Sequence, residues 1–340
     1  MATATFYGQI AANRRNSVLL GLIVVVLLGV LGFVIGGAAS GSVSAGVFVA
    51  LLALGAGVVA SLLSYYAGDA LVLASSGAKE VTAQDQPQLL NVVQEIALAA
   101  DIPMPRVYLI DDTAPNAFAT GRDPQHASVA ITKGLIQKLD REELQGVMAH
   151  ELSHVRNYDI RFSLMVGVLV GSVALLADFF LRFTFWGGGR RSNSDSNSGS
   201  NGLQAILFIV AIVLAIVAPI AARLVQMAIS RQREYLADVS GVELTRDPYG
   251  IERALAKIAL DKEPLEVANR ATQHLYFENP VKAATAESSD LFSTHPHVLD
   301  RINRLRQLSG QPPVADPTQV LDAHAQAVAM APAGQGSGPG

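Results

Sequence analysis

The sequence predicts a mainly α-helical protein with a small β-sheet, joined to about four membrane-crossing helices in two hairpins. Three observations carry that expectation. Only 16% of the 340 residues are charged, where soluble domains usually carry about 25%. The apolar residues gather into four runs, each near the roughly 20 residues that cross a bilayer as a helix. The polar stretches between them show mostly helical periodicity, with two short strand-like segments.

The apolar runs are residues 17–38, 44–64, 160–185 and 203–222, the third interrupted by charges. The first is longer than the 7–15 residues of a signal-peptide core, and a second run follows almost at once, so the pair reads as a hairpin. Arg14 and Arg15 precede it and its short loop is uncharged. The positive-inside rule therefore places the N-terminus and the polar stretches in the cytoplasm. Arg190 and Arg191 run against this orientation, because they fall in the loop between runs three and four. The alternative is that the second hairpin packs on the polar domain without fully crossing.

These runs divide the chain into 1–67 (first hairpin), 68–159 (first half of the polar domain), 160–222 (second hairpin, with a flexible Gly/Ser/Asn-rich loop at 187–202), 223–308 (second half) and 309–340 (a disordered tail rich in Pro, Ala and Gly). Within the polar halves, 87–100 reads as an amphipathic helix through Leu89, Leu90, Val93, Ile96 and Ala97. Segments 106–110 and 127–132 read as strands, with Gly121 as a turn residue between them. Residues 223–244, 249–260 and 298–308 read as helices.

The sharpest signal is His150-Glu151-Leu152-Ser153-His154. Asp140 reads as an N-cap with Glu143 at the third helical position. Leu144, Val147, Met148, Leu152 and Val155 then recur at helical spacing, which puts the motif on a half-buried helix. Two histidines four apart share one helical face, and both imidazoles can reach one Zn2+ ion per chain. Glu151 sits beside that face, suited to take a proton from a metal-activated water. Such a site needs a third protein ligand. Glu234 is the best candidate, and Asp238, one turn on, can accept a hydrogen bond from a ligand histidine. By spacing alone, Glu234 and Asp238 read equally well as a solvated acidic face.

His150-Glu-Leu-Ser-His154 followed by Glu234-Tyr-Leu-Ala-Asp238 resembles the HExxH…ExxxD signature of the HtpX-type membrane zinc peptidases, relatives of the CAAX prenyl endopeptidases. Asn116-Ala117-Phe118-Ala119-Thr-Gly121 is similar to the family's NAFA segment. Ser293-Thr294-His295-Pro296 with Asp300-Arg301-Ile302 is similar to its HPxxxRI segment. The resemblance covers roughly residues 17–308. It implies a zincin-type metallopeptidase domain, with His150, His154 and Glu234 as zinc ligands, Glu151 as general base and Asp238 behind a ligand histidine. It also implies His295 as a stabiliser of the oxyanion. Asn116 to Ala119 are expected along the substrate cleft. Arg301 either orients the cleft carboxylates or makes a structural ion pair, and the second is favoured because buried arginine pairs are common without being catalytic. The implied activity is hydrolysis of membrane or misfolded proteins at the cytoplasmic face of a bacterial inner membrane, in protein quality control.

The net charge of −4 and the lack of any basic tract argue against nucleic-acid binding. The lack of cysteine excludes disulfides, thiolate zinc sites and cysteine catalysis. Polypeptides and the lipid bilayer are the expected partners; the sequence does not fix the oligomeric state. Two alternatives stand beside this reading: a selective processing protease of the prenyl-endopeptidase kind, and a non-catalytic scaffold braced by zinc. Prenyl proteases carry more spans than this chain shows, and a structural zinc has no use for Glu151.

Overall fold

The computed structural model describes residues 6–167, 233–265 and 296–330, with single residues at 178, 209, 212, 231 and 277. Most of the second expected hairpin, its 187–202 loop and His295 lie outside the described residues.

Helices α1 (Phe6–Ser40) and α2 (Val43–Ser75) form the first hairpin, turning at Gly41, whose φ of +66° suits glycine. Small residues let the two backbones close on each other. A Cβ on Gly32 would lie 2.8 Å from the Ala53 Cβ, and one on Gly36 would lie 2.7 Å from the Val49 Cβ. The outer faces stay apolar and exposed, as at Val26, Val30, Leu51 and Leu62. Both helices are long and apolar enough to cross a membrane.

The second helix runs further than the sequence pattern indicated. At 33 residues it is about 50 Å long, well beyond a bilayer's hydrocarbon core. Its last turns pack Leu73 against Tyr108, Ile110 and Phe118. The boundary expected at 67/68 therefore falls inside a continuous helix, because apolar and small residues persist to Ser75.

A four-stranded sheet has the order β1-β2-β4-β3, with β1 Lys79–Glu80, β2 Arg106–Ile110, β3 Ala117–Gly121 and β4 Ala127–Thr132. Strands β2 and β4 run parallel, with Val107 opposite Val129; the other pairs are antiparallel. The expected strands 106–110 and 127–132 are present. The stretch ending at Gly121, expected as a connection, is itself strand β3. Every residue of it is buried, and a strand covered on both faces lacks the alternation that a half-buried strand shows. Strand alternation divides the sheet's two faces. Val107, Val129 and Ile131 join the main core, while Tyr108, Ile110 and Ala130 face the end of α2.

The main core is built on α5 (Arg141–Arg156), which packs against α3 (Pro87–Ala99), β3 and α8 (Pro248–Leu260). Short helix α4 (Lys133–Lys138) leads from the sheet into α5. Leu144, Val147, Met148 and Leu152 are wholly buried, each contributing about 1.5–3 kcal/mol. Leu152→Ala would cost about 2–5 kcal/mol. Helix α8 approaches through glycines on both sides: a Cβ on Gly146 would lie 2.5 Å from the Ile251 nitrogen, and one on Gly250 2.6 Å from the Glu142 oxygen. Two further helical stretches are α6 (159–167) and α7 (233–245), which add Ile160 and Ala237 to the buried residues. Helix α9 (Val298–Leu308) packs on α8 through Ile302 and Leu305.

The C-terminal segment corrects the expected disordered tail. Residues Thr318–Met330 form helix α10, which lies on α8 with Val320 buried. Its alanine-rich composition masks it among low-complexity residues, but alanine is the best helix former.

Candidate metal centre

Helix α5 is fixed at its start by a capping box. Asp140 accepts from the Glu143 N–H, and the Glu143 carboxylate accepts from the Asp140 N–H, both at 2.9 Å. Its apolar face then leaves no rotational freedom, so His150 and His154 must point toward one side. Their Nε2 atoms stand 3.2 Å apart. Helix α7 crosses at the same level because Gly241 has no side chain; a Cβ there would lie 3.2 Å from the His150 backbone nitrogen. That approach delivers Glu234. Its Oε2 is 3.4 Å from His150 Nε2 and its Oε1 is 3.6 Å from His154 Nε2.

The spacing suits one small cation. Ligand atoms at about 2.0–2.1 Å from a tetrahedral ion stand about 3.3–3.4 Å apart. With one atom taken from each residue, the three donors lie within 4.8 Å of one another. Two facing imidazole nitrogens at 3.2 Å need a hydrogen or a metal ion between them, since two bare lone pairs repel.

Carboxylates hold each imidazole from behind. His150 Nδ1 is 2.9 Å from Asp238 Oδ1, and His154 Nδ1 is 3.1 Å from Asp159 Oδ2. Protons at both Nδ1 positions leave both Nε2 atoms available to a metal. Asp159 reaches His154 because Tyr158 adopts a left-handed conformation (φ +61°), which ends α5 and turns the chain back. Arg301 grips Asp238 with two nitrogens at 2.7 and 2.9 Å, lies 3.7 Å from Glu234 Oε2 and donates to the Phe277 carbonyl at 3.2 Å.

The electrostatics follow from burial. Burial works against a charged His150, but Asp238 and Glu234 outweigh it and hold its pKa at about 9. Burial would raise the Asp238 carboxyl, yet Arg301 and His150 keep it below its ordinary value. Glu151 is buried and its carboxyl is raised, first by desolvation and then by Glu234; the two histidines and an N–H from Ala119 oppose the rise.

Residues 83–309 match the family model described as Peptidase family M48. The chain belongs to peptidase family M48. Among relatives, a protein named Protease HtpX homolog from Ligilactobacillus salivarius is 43% identical over 302 residues, covering 89% of this chain and 99% of that protein. One of the same name from Lactiplantibacillus plantarum is 45% identical over 303 residues, with the same coverage. The crystal structure of S. mikatae Ste24p has a TM-score of 0.44 at 17% identity, over 73% of this chain and 56% of that one.

In this M48 chain the structure brings together His150, Glu151, His154, Glu234, Asp238 and Arg301. Arg301 touches the carboxylates and makes a buried ion pair at once, so the two roles considered for it coincide in space. Asn116 to Ala119 lie beside Glu151, with the Ala119 N–H bonded to its carboxylate and the Ala117 oxygen accepting from the Phe277 N–H at 2.8 Å. Four residues at or next to the centre escaped the sequence reading. Asp159 had a usable signal, being an acid just past the motif helix. Phe277 sets its ring edge-on to His150, with centroids 4.9 Å apart, from a segment without periodicity. Asn13 and Arg233 reach Asp159 from other helices, at distances in sequence that no local pattern reports.

Proposed function

We propose that this M48 peptidase is a zinc-dependent endopeptidase of a membrane, with His150, His154 and Glu234 as the metal ligands. The carrying observation is that these three side chains gather one donor each within 4.8 Å, with the two Nε2 atoms 3.2 Å apart, while Glu151, on the same helix as the histidines, is buried next to them without being one of them. Two neutral imidazoles and a carboxylate with no thiolate suit zinc. A zinc ion there would supply Lewis acidity, making a water a stronger acid and polarising a peptide carbonyl.

The chain's own residues do the rest. Asp238 and Asp159 fix the imidazole tautomers, and Arg301 fixes Asp238. Glu151 accepts a proton from the attacking water and delivers it to the leaving amine. Burial raises its carboxyl, which brings its proton affinity nearer to what both tasks need. Strand β3, through Asn116 to Ala119, aligns an extended substrate by backbone pairing. On the family resemblance, His295 steadies the oxyanion.

The substrates we assign are membrane or misfolded proteins, cut at the cytoplasmic face in quality control. Two features support this reading: the α1–α2 hairpin is apolar on its outside, and α2 continues directly into the sheet beside the centre. The arrangement we favour adds a second hairpin at 160–222 between two halves of the peptidase domain, 68–159 and 223–308.

The test is hydrolysis of an unfolded casein by detergent-purified full-length protein. Glu151→Gln should keep bound zinc and lose about 10²–10⁴ in kcat. Equal activity of wild type and variant would reject Glu151 as the base, and activity surviving complete chelation would reject the metal mechanism.

A further inference from the structure

We infer that Asn13, on the first apolar helix, is a positioning residue of the metal centre, acting on His154 through Asp159. The inference rests on the reading of His154 as a metal ligand. The Asn13 side chain is buried and its amide is fully engaged. Its Nδ2 donates to the Asn157 carbonyl at 2.7 Å and to Asp159 Oδ1 at 2.8 Å. Its Oδ1 accepts from Arg233 Nη2 at 2.9 Å. The amide has one workable orientation, since two acceptors face its nitrogen and a guanidinium faces its oxygen.

These bonds divide the labour within Asp159. One carboxylate oxygen, Oδ1, is held by Asn13, with Arg233 Nη1 3.3 Å away. The other, Oδ2, stands 3.1 Å from His154 Nδ1. Without the Asn13 amide, Oδ1 would lose its close donor inside a buried pocket, and the carboxylate would be free to rotate toward Arg233. His154 would then lose the partner that sets its ring and tautomer. Asn13 also joins the two ligand-bearing helices at one point. Asn157 ends α5, which carries His150 and His154, and Arg233 precedes Glu234 on α7. The centre is therefore complete only when α1 is seated against both helices, which ties metal retention to the placement of a membrane helix. A mere packing tether would have no need of an amide with three matched partners.

The test measures zinc affinity by chelator competition, and the visible spectrum of the cobalt-loaded protein, on full-length chain in detergent. Glu151→Gln is the background, to prevent self-cleavage. Asn13→Leu removes the network, while Asn13→Asp keeps the size and the acceptor for Arg233 but replaces both donors. Each should weaken zinc by about 10–100-fold and alter the cobalt spectrum. Ser17→Ala is the packing control: it removes a buried hydroxyl bonded to the Asn13 carbonyl on the same helix, and should change neither readout. Unchanged affinity and spectrum in a folded Asn13 variant would overturn the inference, as would an equal loss in Ser17→Ala. Should Asn13→Leu fail to fold, Asn13→Asp decides alone. Zinc binding that survives His154→Ala would instead sink the ligand assignment on which the inference stands.

Discussion

Arg301 and Asp238 form a two-pronged buried pair: Nε meets Oδ2 at 2.9 Å and Nη2 meets Oδ1 at 2.7 Å, and the same carboxylate stands 2.9 Å behind His150. One arginine from helix α9 thus steadies an acid that steadies a candidate ligand. The fork geometry matters as much as the charge.

Replacing Arg301 by alanine leaves Asp238 buried beside Glu234 with only His150 to offset its charge. The expected cost is about 3–5 kcal/mol, read as a fall in the midpoint of thermal unfolding. Arg301→Lys keeps the charge but not the fork, and should recover only part of the loss. Full recovery with lysine would show that charge alone is what the site requires.

Zinc uptake should depend on pH through His150. Its pKa of about 9 means that at neutral pH the metal must displace a proton. Apparent affinity should rise about tenfold per pH unit from neutrality toward pH 9 and then level off. Calorimetry in buffers of different ionisation enthalpy should count about one proton released near pH 7. In metal-free protein the raised pKa has the opposite consequence for stability. Its contribution is fully present below the ordinary value of 6.5 and is lost as pH rises through about 9.

Gly146→Ala tests the α5–α8 crossing. The added Cβ would lie 2.5 Å from the Ile251 nitrogen, a backbone atom that cannot step aside without moving α8. A loss of about 1–3 kcal/mol is expected, lowering the unfolding midpoint by several degrees. A midpoint equal to wild type would mean that α8 is less tightly seated than these distances imply.

Gly32→Ile should part the first hairpin. A Cβ there already meets Ala53 and the Val49 carbonyl, at 2.8 and 3.0 Å. Cysteines placed on facing positions of α1 and α2 should cross-link efficiently in the parent protein and poorly in the variant. Equal cross-linking would contradict the close approach.

Much of this protein is local, and what is local could be read from the chain. The α5 helix was legible because its cap, its apolar spacing and its two histidines all lie within residues 140–155. Strands β2 and β4 were legible because β-branched and aromatic residues mark them. Strand β3 was not, since burial on both faces erases alternation, and neither was α10, since its alanines resemble a tail. The early end assigned to α2 has a similar cause: the sequence pattern registers apolarity, not whether lipid or Tyr108 covers it.

The sequence by itself determined which residues have the chemistry for a metal and a base, because residue type and helical spacing are enough to place two imidazoles and a carboxylate on one turn. Only the tertiary structure decided what holds them. Gly241 lets α7 reach His150, Tyr158 turns Asp159 back to His154, Arg301 comes from α9, and Asn13 comes from the first apolar helix. Those partners are distant along the chain and meet only because buried polar groups must find one another once water is excluded, a requirement that leaves no periodic mark in the sequence.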